Sequence, residues 1–159
     1  MPAQVCVFDA YGTLFDVAGA ARAAAAEPGR EALAEVWPAL SDVWRRKQLE
    51  YSWIRALAGA HADFWTVTCD ALDHAIEATG LSDPELRDRL RALYRELPAY
   101  PEVPAMLAAL RAEGRRTAIL SNGSPDMLAS AVAAAGVGDL LDAVLSVEQV
   151  GVFKPDRRV

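Results

Sequence analysis

Three short apolar runs constrain this chain more than anything else in it. They are "VCVFD" at Val5–Asp9, "RTAIL" at Arg116–Leu120 and "AVLS" at Ala143–Ser146. Each is short and apolar, and the first and third carry β-branched valine, the pattern of strands buried in a parallel sheet. Parallel neighbours cannot be joined by a tight hairpin; they need a crossover, usually helical. Between the second and third runs that helix is spelled out. Ser124 is placed to cap it, Pro125 sits in the first turn, Asp126 suits the positive end of the dipole and Gly136 ends it. A second helix, Val103–Glu113, precedes the middle run and stops at Gly114. Strand–helix–strand order predicts an α/β fold with right-handed crossovers and a Rossmann-like parallel sheet.

The stretch between the first two runs has a different character. It is helical by pattern over Val17–Ala26, Glu31–Ala58, Phe64–Thr79 and Pro84–Leu97. Pro38 is expected to kink or divide the second of these. "LSDPEL" at Leu81–Leu86 is a start signal, with Ser82 or Asp83 as cap and Pro84 in the first turn. "ELPAYPEVP" at Glu96–Pro104 reads as a linker. The chain therefore begins a sheet, leaves it for a helical module and returns. The expected organisation is an α/β core from residues 1–16 with 100–159, and an inserted helical cap, a helix bundle, from 17–99.

Composition removes several classes. At 159 residues and 53% hydrophobic, the chain can bury a core. A net charge of −6 argues against non-specific binding to nucleic acid or an anionic membrane, while one local cation can still hold a small anion. No window is long and apolar enough for a membrane span. The N-terminus has no basic start, long apolar stretch or cleavage site, so no signal is expected. Cys6 and Cys69, far apart, read as free thiols of a reducing, cytoplasmic compartment. There is no G-x-x-x-x-G-K-[ST] and no G-x-S-x-G. His61, Cys69 and His74 fit no common zinc spacing. The four tryptophans, Trp44 and Trp53 among them, read as packing anchors of the helical module.

In an open parallel sheet, ligands bind beyond the carboxyl ends of the strands. Asp9 ends the first run, Ser121 and Asn122 follow the second, and Lys154 follows the third in a loop flanked by glycine and proline. A carboxylate, a hydroxyl, an amide and an ammonium are thus expected in one crevice. Singly, each has an ordinary structural explanation; their joint placement at three strand ends is what points to a site.

Four stretches carry a family resemblance over essentially the whole chain. "FDAYGTLFD", "ILSNGSPDML" and "VFKPD", in that order with a helical insertion after the first, resemble the haloacid dehalogenase superfamily. With "VWRRKQLEYSWIRAL" at Val43–Leu57, they are more narrowly similar to the L-2-haloacid dehalogenases. The resemblance implies that Asp9 is a nucleophile attacking carbon 2 of a short 2-haloalkanoate, an anionic substrate, with inversion, to form an aspartyl ester. It implies that Ser121 and backbone N–H groups near Ala10, Tyr11 and Asn122 hold the substrate carboxylate. Arg45 would receive the departing halide beside Asn122, and Lys154 would keep Asp9 ionised. Thr13 would hydrogen-bond around the nucleophile, and Leu49 and Phe64 would line an apolar pocket. Arg45 and Leu49, four apart, project from one helix face. Sequence alone does not separate Arg45 from Arg46.

Superfamily phosphatases place a second aspartate two residues after the first, as general acid for a leaving alkoxide. Here that position is Tyr11. A halide leaves without a proton, and a Mg²⁺ site loses an oxygen ligand, so no metal or cofactor is expected. The resemblance leans to a homodimer. It also places a further strand and a fourth motif, with a water-activating acid, beyond the last residue given; the expectation is a chain lacking a C-terminal piece, with ester hydrolysis impaired. Two other readings stay open: a superfamily phosphatase, and a catalytically incompetent fragment that serves as an interaction module.

Overall fold

The computed structural model describes residues 3–159. The three apolar runs form one parallel sheet in the order β1–β2–β3, with β1 at Val5–Phe8, β2 at Arg116–Ser121 and β3 at Ala143–Ser146. Val5 pairs with Arg116 and Phe8 with Ile119; Ala118 pairs with Ala143 and Ser121 with Ser146. This register brings the carboxyl ends of all three strands level. α5 (Val103–Ala112) and α6 (Pro125–Ala135) make the crossovers. Ser124 occupies the α6 cap position but its side chain makes no capping bond, whereas Gly136 takes the left-handed C-cap as expected (φ 65°).

One expectation about the sheet needs correction. β2 is buried, with Thr117 and Ile119 both 0% exposed, but β1 and β3 are edge strands with open faces; in β3, Val144 is 40% and Leu145 42% exposed. Val7 is 56% exposed and Val5 40%, because among the described residues no helix packs over them. A continuous apolar run reports what a strand could bury, not what covers it.

Four helices lie between β1 and α5: α1 (Gly19–Ala25), α2 (Glu31–Ala58), α3 (Phe64–Ala78) and α4 (Leu86–Arg95). α2 packs on α1 and α3, and α1 on α4. Pro38 does not divide α2, which runs unbroken for 28 residues. Pro38 and Ala34 are exposed, so water can take the carbonyl that the missing N–H leaves free. α4 begins at Leu86 rather than Pro84; Asp83 instead accepts the Glu85 N–H at 2.9 Å in the preceding turn. No helix among the described residues is long and apolar enough to cross a membrane.

The insertion is tied where it leaves and re-enters the core. Asp16 N–H donates to the Pro98 carbonyl at 2.9 Å, and Tyr100 N–H to the Leu14 carbonyl at 3.0 Å. The outgoing and returning strands of chain thus satisfy one another, and the proline-rich linker is a paired junction. Beneath it Leu14, Phe15, Leu97 and Leu107, each no more than 1% exposed, join helices and sheet into one apolar core.

α3 shows how local sequence fixes an element. Asp63 accepts from the N–H groups of Trp65 (2.9 Å) and Thr66 (3.1 Å) and from the Thr66 hydroxyl (2.6 Å). Partial burial acts to raise the Asp63 pKa, but these hydrogen bonds outweigh it and hold the carboxyl below its ordinary value. A depressed folded pKa stabilises above the unfolded value and is lost as pH falls through the folded one. Asp63→Ala should cost about 1 kcal/mol at neutral pH in urea unfolding. The deficit should shrink as pH drops below about 3.9, the ordinary aspartate value.

Candidate active site

The site is built on the turn that follows β1. The Ala10 carbonyl accepts from the N–H groups of Thr13 (3.2 Å), Leu14 (2.9 Å) and Phe15 (3.0 Å), which folds the chain tightly back after Asp9. Gly12 makes this turn with φ +85°, a region side chains avoid, and the Arg45 guanidinium lies over it, 3.5 Å from where a Cβ would stand. Asp9 is left at the strand end with its carboxylate facing a cavity of about 410 Å³.

Lys154 reaches Asp9 from the loop after β3. Its Nζ donates to Asp9 Oδ1 and to the Leu120 carbonyl, both at 2.8 Å. Its backbone N–H donates to Asn122 Oδ1 at 2.9 Å. With that oxygen engaged, the Asn122 amide turns its two N–H donors toward the cavity it lines. Ser121, 1% exposed, accepts the Gly123 N–H at 3.1 Å, which leaves its hydroxyl proton free to donate. Ser146 donates to the Gly123 carbonyl at 2.6 Å and braces this loop from β3.

The opposite wall comes from the helical module. Arg45 donates to the Tyr11 carbonyl at 2.7 Å and to Gln48 Oε1 at 2.8 Å, both neutral acceptors. Its neighbours Arg46 and Lys47 both lie against Glu50, at 3.9 and 2.7 Å. Arg45 pairs with no carboxylate among the described residues and keeps its full charge at the cavity wall. That contrast separates the two arginines, which sequence alone did not. Leu49, Trp53 and Phe64 complete an apolar side.

Tyr11 fills the position where a second acid would stand. Its ring stacks on Tyr94 (centroids 5.7 Å, interplanar angle 11°) and it is 3% exposed. Burial above all pushes its phenol well above the ordinary value, so the hydroxyl stays protonated. That hydroxyl is buried and has no hydrogen-bond partner among the described residues. Among the described residues Asp9 is the only acid lining the cavity, and one of its oxygens is already on Lys154. This donor set is poor for a hard cation.

Most residues singled out in the sequence converge: Asp9, Tyr11, Arg45, Leu49, Phe64, Ser121, Asn122 and Lys154 all line one cavity. Ala10 is fully buried and contributes backbone only. Thr13 does not join them. It is exposed on the outer side of the turn, its hydroxyl makes no hydrogen bond among the described residues, and the expected contact with the nucleophile is absent. Trp53 also departs from expectation: it is 48% exposed and lines the cavity with Pro155 instead of anchoring the bundle. The spacing Arg45, Leu49, Trp53, two steps of four on one helix, carried that signal.

Within this α/β fold, a strand-end carboxylate braced by a lysine faces, across one cavity, a guanidinium carried by the inserted helical module. The family model for haloacid dehalogenase-like hydrolases matches residues 3–159, and the chain belongs to that family. It is 48% identical over 159 residues to (S)-2-haloacid dehalogenase 1 of Pseudomonas sp. (strain CBS-3), covering 99% of this chain and 68% of that protein. It is 51% identical over 155 residues to the (S)-2-haloacid dehalogenase of Xanthobacter autotrophicus, covering 96% of this chain and 58% of that one. A solved structure of L-2-haloacid dehalogenase from X. autotrophicus with chloropropionic acid covalently bound superposes with TM-score 0.81 at 45% identity, over 97% of this chain and 60% of that one. The chain thus spans between 58% and 68% of the length of these relatives.

Gly123 has no room for a side chain: a Cβ there would lie 2.7 Å from the Tyr11 ring and 3.2 Å from Leu128. Gly123→Ala should therefore push Tyr11 off Tyr94 and destabilise the fold by about 1–3 kcal/mol, measured by urea unfolding with near-UV circular dichroism reporting the tyrosine stack.

Proposed function

We propose that the chain displaces halide from short (S)-2-haloalkanoates by nucleophilic attack of Asp9, the first half of hydrolytic dehalogenation. The observation that carries this reading is the placement of an unpaired guanidinium, Arg45, across the cavity from an Asp9 carboxylate braced by Lys154. A carboxylate oxygen of Asp9 bonds to carbon 2 as the carbon–halogen bond breaks. The bonding pair leaves with the halide, carbon 2 inverts and an ester remains on Asp9. No proton moves in this step, which suits a site with Tyr11 where a phosphatase would need an acid. The covalently bound chloropropionic acid of the X. autotrophicus structure supports the same chemistry here.

The remaining roles follow from the donors left free. The Ser121 hydroxyl and the N–H groups of Ala10, Tyr11 and Asn122 hold the substrate carboxylate. The Arg45 guanidinium and the Asn122 amide receive the halide; a planar, weakly hydrated cation suits a large soft anion better than an ammonium does. Leu49, Trp53 and Phe64 take the alkyl group. Hydrolysis of the ester needs a base for water, and Asp9, the only acid in the cavity among the described residues, is the residue that has been consumed. The ester is therefore the species expected to accumulate, since loss of a general base slows a step by about 10² to 10⁴.

A homodimer is the assembly this reading favours, supported by the exposed apolar residues Ile54 (61%) and Leu57 (89%) on α2. The free thiols Cys6 and Cys69 support a cytoplasmic setting. Incubation with L-2-chloropropionate should raise the intact mass by one propionate group, mapped to Asp9, with one halide released per chain. Asp9→Asn should show neither. Mass and halide both unchanged in the folded wild type would reject the proposal in favour of a non-catalytic interaction module, and Mg²⁺-dependent release of phosphate from a phosphomonoester would favour the phosphatase.

A further inference from the structure

We infer that Gln48 is a positioning residue for Arg45, a neutral acceptor that aims the guanidinium and leaves its charge for the departing anion; this rests on the halide role proposed for Arg45. Gln48 is 1% exposed, three residues after Arg45 on α2. Its amide orientation is dictated by its surroundings. The Thr68 hydroxyl donates to the Phe64 carbonyl at 2.7 Å, so its proton is committed and it offers Gln48 only a lone pair. Gln48 Nε2 donates to that lone pair at 2.7 Å and to the Tyr94 hydroxyl at 3.1 Å. Oε1 is thereby turned to Arg45, a residue with only donors, at 2.8 Å, with the Tyr94 hydroxyl a second and longer donor at 3.4 Å.

The contacts close a ring. Tyr94 stacks on Tyr11, the Tyr11 carbonyl holds one arm of Arg45, Gln48 holds the other, and Gln48 is held by Tyr94. Each polar member is buried or half-buried, where a side chain out of place leaves an unpaired group behind. A glutamate in place of Gln48 would reach Arg45 equally well. It would also neutralise the guanidinium at close range and lose the donation to Thr68 and Tyr94. Neutrality at position 48 is therefore the feature that keeps a geometrically fixed arginine electrostatically available.

The experiment compares wild type, Q48E and Q48M for bromide affinity, read by quenching of tryptophan fluorescence, since Trp53 lines the cavity. The rate of Asp9 alkylation by L-2-chloropropionate is followed by intact mass. Among the described residues, the groups bonded to position 48 are Arg45 from α2, Thr68 from α3 and Tyr94 from α4, and Arg45 is the only charged one. Q48E should bind bromide about tenfold or more weakly at neutral pH. Its affinity should recover toward acid pH as the introduced carboxyl takes up a proton. Q48M, neutral but unable to accept, should weaken binding with no such recovery, and its near-UV spectrum checks that the fold is kept. Wild-type bromide affinity in Q48E, a Q48E loss that does not recover with acid, or no bromide binding by wild type would each overturn the inference. Absence of the Asp9 adduct in wild type would instead reject the dehalogenation reading, while the bromide titrations still decide the role of Gln48.

Discussion

The arrangement at the strand ends depends on one side chain, Lys154. Its ammonium joins the end of β1 at Asp9 to the end of β2 at the Leu120 carbonyl, and its backbone N–H fixes Asn122. A lysine is used here as a three-way brace. Two of its three contacts are to side-chain oxygens, of Asp9 and Asn122, and the third is to a backbone carbonyl, Leu120, near the carboxyl edge of the sheet. The carboxylate facing the cavity is therefore positioned by the same ammonium that ties the ends of β1 and β2 together. This explains why a strand as exposed as β1 can still end on a well-placed aspartate.

The second dependence runs between layers. Arg45 belongs to α2 but one of its two strongest contacts is the Tyr11 carbonyl, in the turn after β1. Glycine at position 12 gives that guanidinium its approach. His61, in the loop between α2 and α3, bonds Glu148 beyond β3 at 2.9 Å and packs on Phe153. The helical module is seated on the sheet side by these polar contacts and by an apolar centre formed by Tyr11, Phe64 and Phe153.

The sheet, its crossover helices and the inserted module were legible because each rests on local physics: short apolar runs, caps, glycine stops and proline punctuation. The strand-end residues were legible for a topological reason, since parallel strands deliver their carboxyl ends to one edge. What escaped depends on partners distant in sequence. Gln48 matters through Thr68 and Tyr94 on two other helices, and no spacing along the chain announces that meeting. Trp53 looked like an anchor because its size is visible in the sequence and its exposure is not. Thr13 was placed at the nucleophile by family resemblance, whereas the three hydrogen bonds converging on Ala10 turn its side chain outward. The open face of β1 was hidden for a similar reason: valines at positions 5 and 7 look the same whether or not a helix lies over them.

The contact between Arg45 and the Tyr11 carbonyl has a mechanical meaning. Asp9 stands at the end of a sheet strand, while Arg45 is mounted on the helical layer. Displacing α2 from the turn breaks the bond at Tyr11 and carries the cation away from the carboxylate in one motion. Under the proposed function, an anion held by Arg45 would be withdrawn with it, so that uncovering the cavity and clearing it of halide would be a single event.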